Sequence, residues 1–308
     1  MTAKEVAKAI RSMDIRGAAE IARRSASALK EEALAYSGND LEEFRGRMEM
    51  SKGVLLDSRP TAVSLWNGVQ SVFKKTSEIS DLEEYRSALV RNADEFVVRS
   101  NEALRIIGHL GGNRIQDGDR VLTHCNSKAA LSAIIMAWQE GKKIEAVVTE
   151  SRPWRQGVLS ANDLAKAGVP TTMIVDSAVR YAMKNIDVVF VGADTICSNG
   201  ALINKIGTSQ VALAAHEARV PFMVCAETFK FSPRTIYGEM VKIEERDATE
   251  IVKPGEIPAS VKIFNPVFDA TPPEYIDSIV TEVGVIPPFA AYEIIVRELG
   301  QEFVFNEH

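Results

Sequence analysis

Arg120-Val-Leu-Thr-His-Cys-Asn-Ser-Lys-Ala-Ala-Leu131 reads as a short buried strand, a thiol, and the first turn of a helix. Val121 and Leu122 carry the β character, Asn126 or Ser127 suits a helix N-cap, and Lys128 onward favours helix. A chain that passes straight from strand to helix leaves free backbone N–H groups at the junction. Such junctions bind phosphate in α/β proteins and acidify cysteine thiols. Cys125 stands at this junction, so an acidified thiol is expected.

Downstream, strand and helix alternate. Apolar runs occur at Ile144–Thr149, Thr171–Val175, Asp187–Val191, Pro221–Cys225 and Ser260–Phe264, with helical patterns at Ala129–Glu140, Ser160–Ala167, Ser177–Lys184 and Gly207–Arg219. Continuous β-branched runs alternating with helices predict a parallel sheet covered on both faces. Thr271-Pro-Pro-Glu-Tyr-Ile-Asp277 predicts a further helix with proline in its first turn, Val283–Ile286 a last strand, and Pro288–Leu299 a last helix.

Upstream, no strand signal precedes Gly111-Gly112. Thr2-Ala-Lys-Glu5 and Ser80-Asp-Leu-Glu83 are capping-box patterns, Asp40 suits a cap, and residues 16 to 36 are small and apolar at helical spacing. The turn-rich Gly111–Gly118 stretch sets the expected boundary between a helical domain, 1–112, and a Rossmann-like α/β domain, 113–308.

Bulk composition excludes several classes. The 308 residues are 46% apolar without a run long enough to span a bilayer, and no secretory signal opens the chain. Three cysteines provide neither a disulfide framework nor a Cys-x-x-Cys metal pattern, which fits a cytoplasmic setting. A net charge of −6 argues against a nucleic-acid partner. No Gly-x-Gly-x-x-Gly after a strand, P-loop or Gly-x-Ser-x-Gly elbow occurs, so dehydrogenase, nucleotide hydrolase and α/β-hydrolase lose ground.

In an open parallel sheet, ligands bind beyond the carboxyl ends of the strands. Those ends carry His124-Cys125-Asn126-Ser127, the Glu150–Gly157 loop with Arg152 and Arg155, Gly192-Ala-Asp194, Asn204-Lys205, and Glu227-Thr-Phe-Lys230. A thiol, a carboxylate and several cations on one edge suit proton transfer on a small anionic substrate. Asp194 follows an apolar strand, so desolvation is expected to raise its pKa. Cys197 and Cys225 read as buried small hydrophobes, and His109, His216 and His308 as surface residues. His124 is expected to point to the sheet face opposite Cys125.

At these residues the chain resembles the sugar-phosphate isomerases related to the regulatory subunits of the eukaryotic translation-initiation guanine-nucleotide exchange factor. The matching motifs run nearly end to end: Arg16-Gly-Ala-Ala19, Arg59-Pro-Thr-Ala62, Thr123-His-Cys-Asn126, Thr149-Glu-Ser-Arg-Pro153, Val191-Gly-Ala-Asp194, Asn199-Gly200, Asn204-Lys-Ile-Gly-Thr208, Pro221-Phe222 and Asn265-Pro-Val-Phe-Asp-Ala-Thr-Pro-Pro273. The regulatory subunits typically lack both the cysteine and the aspartate, so the resemblance implies an enzyme. Of the two enzymatic branches, Glu227-Thr-Phe-Lys-Phe-Ser-Pro233 is similar to the ribose-1,5-bisphosphate isomerases rather than the methylthioribose-1-phosphate isomerases.

That resemblance implies isomerisation of ribose 1,5-bisphosphate to ribulose 1,5-bisphosphate in nucleoside monophosphate degradation. Cys125 as thiolate takes the C2 proton, and a protonated Asp194 assists ring opening and proton return. The N–H groups of Ser127, Lys128 and Ala129 cradle one phosphate. Arg16, Gly17, Ala18, Ala19, Arg59 and Lys230 hold the rest, with Asn204 and Lys205 near the sugar oxygens. It implies no metal or organic cofactor, a homo-oligomer, and a pathway in which regulation by AMP is at home. The alternatives are a methylthioribose-1-phosphate isomerase and a non-catalytic translation-factor subunit.

Overall fold

Thr2 opens the first helix, α1 (Ala3–Arg11), through a reciprocal capping box: its hydroxyl accepts from Glu5 N–H at 3.3 Å, and its own N–H donates to Glu5 Oε2 at 2.8 Å. Asp40 caps α3 (Leu41–Leu56) as its position predicts. Between and after them lie α2 (Ala18–Ala35), α4 (Val63–Val72) and α5 (Leu82–Gly112). The cap of α5 is Asp81, whose Oδ1 accepts from Glu84 N–H at 2.8 Å, rather than Ser80. The computed structural model describes residues 1–233, 243–258 and 260–299; His308 lies outside them.

The chain divides into two compact units, Met1–Ala103 and Leu104–His308. The division falls inside α5, not at the glycine pair where that helix ends. Gly111 and Gly112 are helical residues of the second unit, and they serve close packing rather than a turn. A Cβ at Gly111 would lie 2.6 Å from Ala133 Cβ, on the helix α6 (Lys128–Gln139) that follows the first strand. Glycine there lets two helices approach backbone to backbone.

The second unit is built on a seven-stranded sheet of β1 (Arg120–Thr123), β2 (Glu145–Thr149), β3 (Thr171–Ile174), β4 (Val188–Gly192), β7 (Phe222–Cys225), β10 (Ser278–Thr281) and β11 (Gly284–Ile286). Its order is β11-β10-β7-β4-β1-β2-β3, all pairs parallel except β10 with β11. Period-two alternation sends Val121, Ala146, Val148, Val188 and Phe190 into one core with α6 and α7 (Gly157–Lys166). Leu122, Val147, Val189, Val191 and Val224 enter the other, with α9 (Thr208–Ala218) and α10 (Ala291–Ile294). Both faces are thus covered, as the continuous apolar runs predict.

Four features differ from what the sequence pattern suggests. The chain between β4 and α9 is not simply loop: β5 (Thr195–Cys197) and β6 (Leu202–Lys205) join β8 (Phe231–Ser232) and β9 (Phe268–Thr271) in a second, four-stranded sheet. Strands of two to four residues are too short to declare a period. Ser260–Phe264 forms no strand. The helix expected from Thr271 is a single 3-10 turn, Pro273–Tyr275, which leads into β10. Residues 177–184 are a broken run of 3-10 turns around a four-residue helix, α8 (Val179–Ala182).

Candidate active site

The chain lays down β1, β2 and β3 in one direction, then returns to place β4 on the other side of β1. The helices after β1 and β4 therefore diverge, and a crevice opens at the carboxyl ends of these two strands. Cys125 follows β1 and Asp194 follows β4. Continuing the register Val121↔Val188 and Leu122↔Val189 sets Cys125 beside Gly192, with Asp194 two residues further along the neighbouring chain. Gly192 is required there, because a Cβ would lie 2.2 Å from Ser127 Oγ.

Asp194 N–H donates to Ile203 C=O at 3.1 Å, which brings Asn204 and Lys205 of β6 to the same edge. Asp194 is half-buried, between the apolar strand β4 and buried Ile196. Asn204 is buried, and its amide donates to Thr208 Oγ1 at 3.0 Å. The Lys205 ammonium lies 5.1 Å from the centre of the Phe268 ring. Its charge also acts on the Cys125 thiol.

Cys125 has a left-handed backbone, φ 68°, which is costly for a residue with a Cβ. It is held there from both sides. Its N–H donates to Ser151 Oγ at 2.8 Å, and its C=O accepts from Ser160 Oγ at 2.7 Å. Ser151, itself at φ 59°, is clamped with Arg152: their N–H groups donate at 2.8 Å to the two oxygens of Asp176.

The thiol is not acidified. Burial pushes its pKa up to about 11, with Asp194 and Asp176 adding to the rise, against Lys205 and a hydrogen bond from the Asn126 backbone. Desolvation of the thiolate outweighs the helix start that the sequence advertises. The protonated sulfur donates to Gln156 Oε1 at 3.3 Å.

The helix start itself has the expected form. Ser127 is the N-cap of α6, accepting from Ala130 N–H at 3.3 Å. The N–H groups of Ser127, Lys128 and Ala129 donate to no acceptor among the described residues, leaving three donors at the crevice. Lys128 is exposed.

Lys230 follows β7 in a 3-10 turn and is 5% exposed. Its ammonium lies 2.7 Å from Glu227 Oε2, a buried oxygen that receives no other donor. It is a buried, charge-paired lysine, not an open cation. In the helical unit, exposed Arg16 precedes Gly17, the N-cap of α2 at φ 88°, and Ala18 and Ala19 form the first turn of that helix. No side chain caps that turn. Arg59 is half-buried in the turn between α3 and α4.

Arg152 and Arg155 are exposed. His109 and His216 are exposed, and Cys197 and Cys225 buried. His124 is buried against the ends of β2 and β6, bonded to Thr149 and Ile206. Gln156, Ser151 and Asp176 escaped the sequence reading. Their link to Cys125 spans 26 to 51 residues of chain, and their only local signal is a place beyond the ends of β2 and β3. Among the described residues no cluster of His, Cys, Asp and Glu could hold a metal ion, and no helix is long and apolar enough to cross a membrane.

Residues 14–288 match the initiation factor 2 subunit family. The chain is similar to the ribose 1,5-bisphosphate isomerase of Archaeoglobus fulgidus, 53% identical over 98% of this chain and 95% of that one. It is also similar to the methylthioribose-1-phosphate isomerase of Thermosipho africanus, 38% identical over 97% of this chain and 90% of that one. Among solved structures it is similar to the translation initiation factor eIF-2B of Pyrococcus horikoshii, with a TM-score of 0.80 and 30% identity over 93% of this chain and 97% of that one.

Proposed function

The chain belongs to the initiation factor 2 subunit family, and from that premise we propose that it is an aldose–ketose isomerase converting ribose 1,5-bisphosphate to ribulose 1,5-bisphosphate. The observation that carries the reading is the pair Cys125 and Asp194, each just past one of the two strands that border the crevice. Identity of about half to ribose 1,5-bisphosphate isomerases over nearly the whole chain supports the choice of sugar.

The proton traffic follows from the state of the thiol. Held protonated by burial, Cys125 starts as the donor and Asp194 as the acceptor, the reverse of the order a low thiol pKa would impose. The thiol protonates the ring oxygen as the bond from C1 to that oxygen breaks. Asp194 removes the C2 proton, giving an enol, and returns it to C1. The thiolate takes back a proton from the C2 hydroxyl as that carbon becomes the ketone. Two protons are given and two recovered, so both groups end as they began.

The free N–H groups of Ser127, Lys128 and Ala129 bind one phosphate, as a helix start does. Lys205 and Asn204 meet the sugar oxygens and the developing charge. Arg16, Gly17, Ala18, Ala19 and Arg59 are proposed as further phosphate contacts on the resemblance of their motifs, and Lys230 likewise, at the cost of sharing its charge with Glu227. The chemistry proposed needs no cofactor, and the pathway proposed is nucleoside monophosphate degradation. One observation favours the methylthioribose-1-phosphate reading: Lys230 is already paired, as a site with a single phosphate would allow.

Purified protein offered each sugar phosphate, with the ketose identified by NMR, tests the proposal. Turnover of the bisphosphate is expected; turnover of the thioether sugar alone overturns the substrate. Folded Cys125→Ser and Asp194→Asn variants are expected to lose about 10²- to 10⁴-fold in kcat. Near-full activity in either one removes the pair from the chemistry.

A further inference from the structure

Four hydrogen bonds run from the catalytic loop to the loop that bears Lys205, and their direction is determined by the two ends. At one end Ile206 C=O can only accept, so His124 Nε2, 2.9 Å away, carries the ring proton. The neutral ring's Nδ1 must then accept, and Thr149 Oγ1 donates to it at 2.6 Å. With that proton spent, Thr149 accepts from Ser151 Oγ at 3.1 Å. Ser151 in turn accepts from Cys125 N–H at 2.8 Å. Burial lowers the pKa of His124 and keeps it neutral, with the Asp176 carboxylate raising it and the Lys205 ammonium lowering it.

Both ends are backbone groups that do not titrate, so this chain delivers no proton to the crevice. What it transmits is distance. The turn that follows Lys205 at the end of β6 is otherwise tied to β9 and the residue before it: Gly207 N–H and Ser209 N–H donate to Asp269 Oδ2 at 2.7 and 3.1 Å, and Ile206 N–H donates to Val267 C=O at 2.9 Å. None of those bonds reaches β1. The fit on the β1 side is close, since Gly207 lies at φ +100° and a Cβ there would stand 3.0 Å from His124 Cε1. Across this fit the Lys205 charge reaches both the thiol and the imidazole.

We infer that His124 is a positioning residue: it completes a one-way strut, Cys125–Ser151–Thr149–His124–Ile206, that sets the spacing between the thiol of one loop and the ammonium of the other. The strut explains why Cys125 holds a left-handed backbone: its N–H is aimed at Ser151 instead of at the crevice. It also assigns a use to the buried imidazole, which touches neither substrate nor thiol in the proposed reaction.

The kinetic part of this inference rests on the isomerase reading; a backbone readout stands without it. His124→Gln disrupts the acceptor for Thr149, and Thr149→Val removes the middle hydroxyl with little change of shape, so the second remains usable if the first fails to fold. In each, kcat is expected to fall by roughly 10- to 100-fold with KM little changed, the scale set by misplacing a catalytic group by about an ångström. Hydrogen exchange at the Cys125 amide is expected to quicken roughly tenfold, the equivalent of one hydrogen bond. The double variant should be no worse than the poorer single one, because both cut the same strut. Unchanged Cys125 exchange in both variants, multiplied effects in the double one, or unaltered kcat in an active protein overturns the inference. If the unsubstituted protein turns over neither sugar phosphate, the isomerase reading falls, and Cys125 exchange alone decides the strut.

Discussion

Gly192→Ala tests the packing of the two strand ends that hold the candidate pair. The new Cβ would stand 2.2 Å from Ser127 Oγ and 2.3 Å from Ser127 Cβ, with Ser127 Cα at 3.7 Å. The first two distances are impossible, so Ser127 must move, and its hydroxyl loses the bond that caps Ala130 N–H. Overpacking of this kind costs about 1–3 kcal/mol and a lost serine cap about 1 kcal/mol, so the variant should lose about 2–4 kcal/mol. The companion change Ser127→Gly removes both clashing atoms and leaves the ordinary 3.7 Å contact. Glycine at an N-cap costs only a few tenths of a kcal/mol, so Ser127→Gly alone should be mild, and the double variant should be more stable than Gly192→Ala. Thermal unfolding of the four proteins measures this, with KM for the phosphorylated substrate as a second readout, since Ser127 opens the proposed phosphate cradle. A Gly192→Ala protein within about 0.5 kcal/mol of the parent, or one that Ser127→Gly fails to relieve, refutes the close approach of β4 to the start of α6.

Other consequences follow from charge and burial. With its thiol pushed up to about 11, Cys125 should be alkylated by iodoacetamide slowly at neutral pH, at a rate that rises with each pH unit up to pH 10; a plateau below pH 8, read by peptide mass spectrometry, would contradict that state. Asp269 is raised by burial to about 6 from an ordinary 3.8, so folding favours its protonated form. Stability from this group is therefore full below about pH 4 and is lost as pH rises through about 6. Asp269→Asn should flatten that dependence and add up to about 2–3 kcal/mol above pH 6, checked by urea unfolding across pH. Glu227→Gln strands the buried Lys230 charge and should cost about 3–5 kcal/mol, whereas Glu227→Leu with Lys230→Met together should cost far less; equal losses would place the pair in solvent instead.

Much of the fold is legible in the chain because its signals are local. Thr2 and Asp40 cap helices where their spacing puts them, and β1, β2, β4 and β7 are announced by apolar runs that need two buried faces. Cys125 and Asp194 could be singled out from position alone, since the end of each strand is visible without knowing what lies beside it. The second sheet was not legible, because strands of two to four residues acquire meaning only from their partners. Gly111 and Gly112 read as a turn for a similar reason: sequence cannot tell a glycine that bends a chain from one that lets a neighbouring helix approach.

The sequence by itself determined the strands β1, β2, β4 and β7 of the main sheet, the residues that follow them, and hence the candidate pair Cys125 and Asp194. Tertiary structure decided their chemical state. The thiol that a helix start should acidify is instead desolvated, with charged groups from the ends of β3, β4 and β6 acting on it, and stays protonated. Lys230, an open cation in the sequence, is buried on Glu227. Position along a strand is a local property written in the chain, whereas acidity and availability depend on which distant groups are brought close and how much water they exclude.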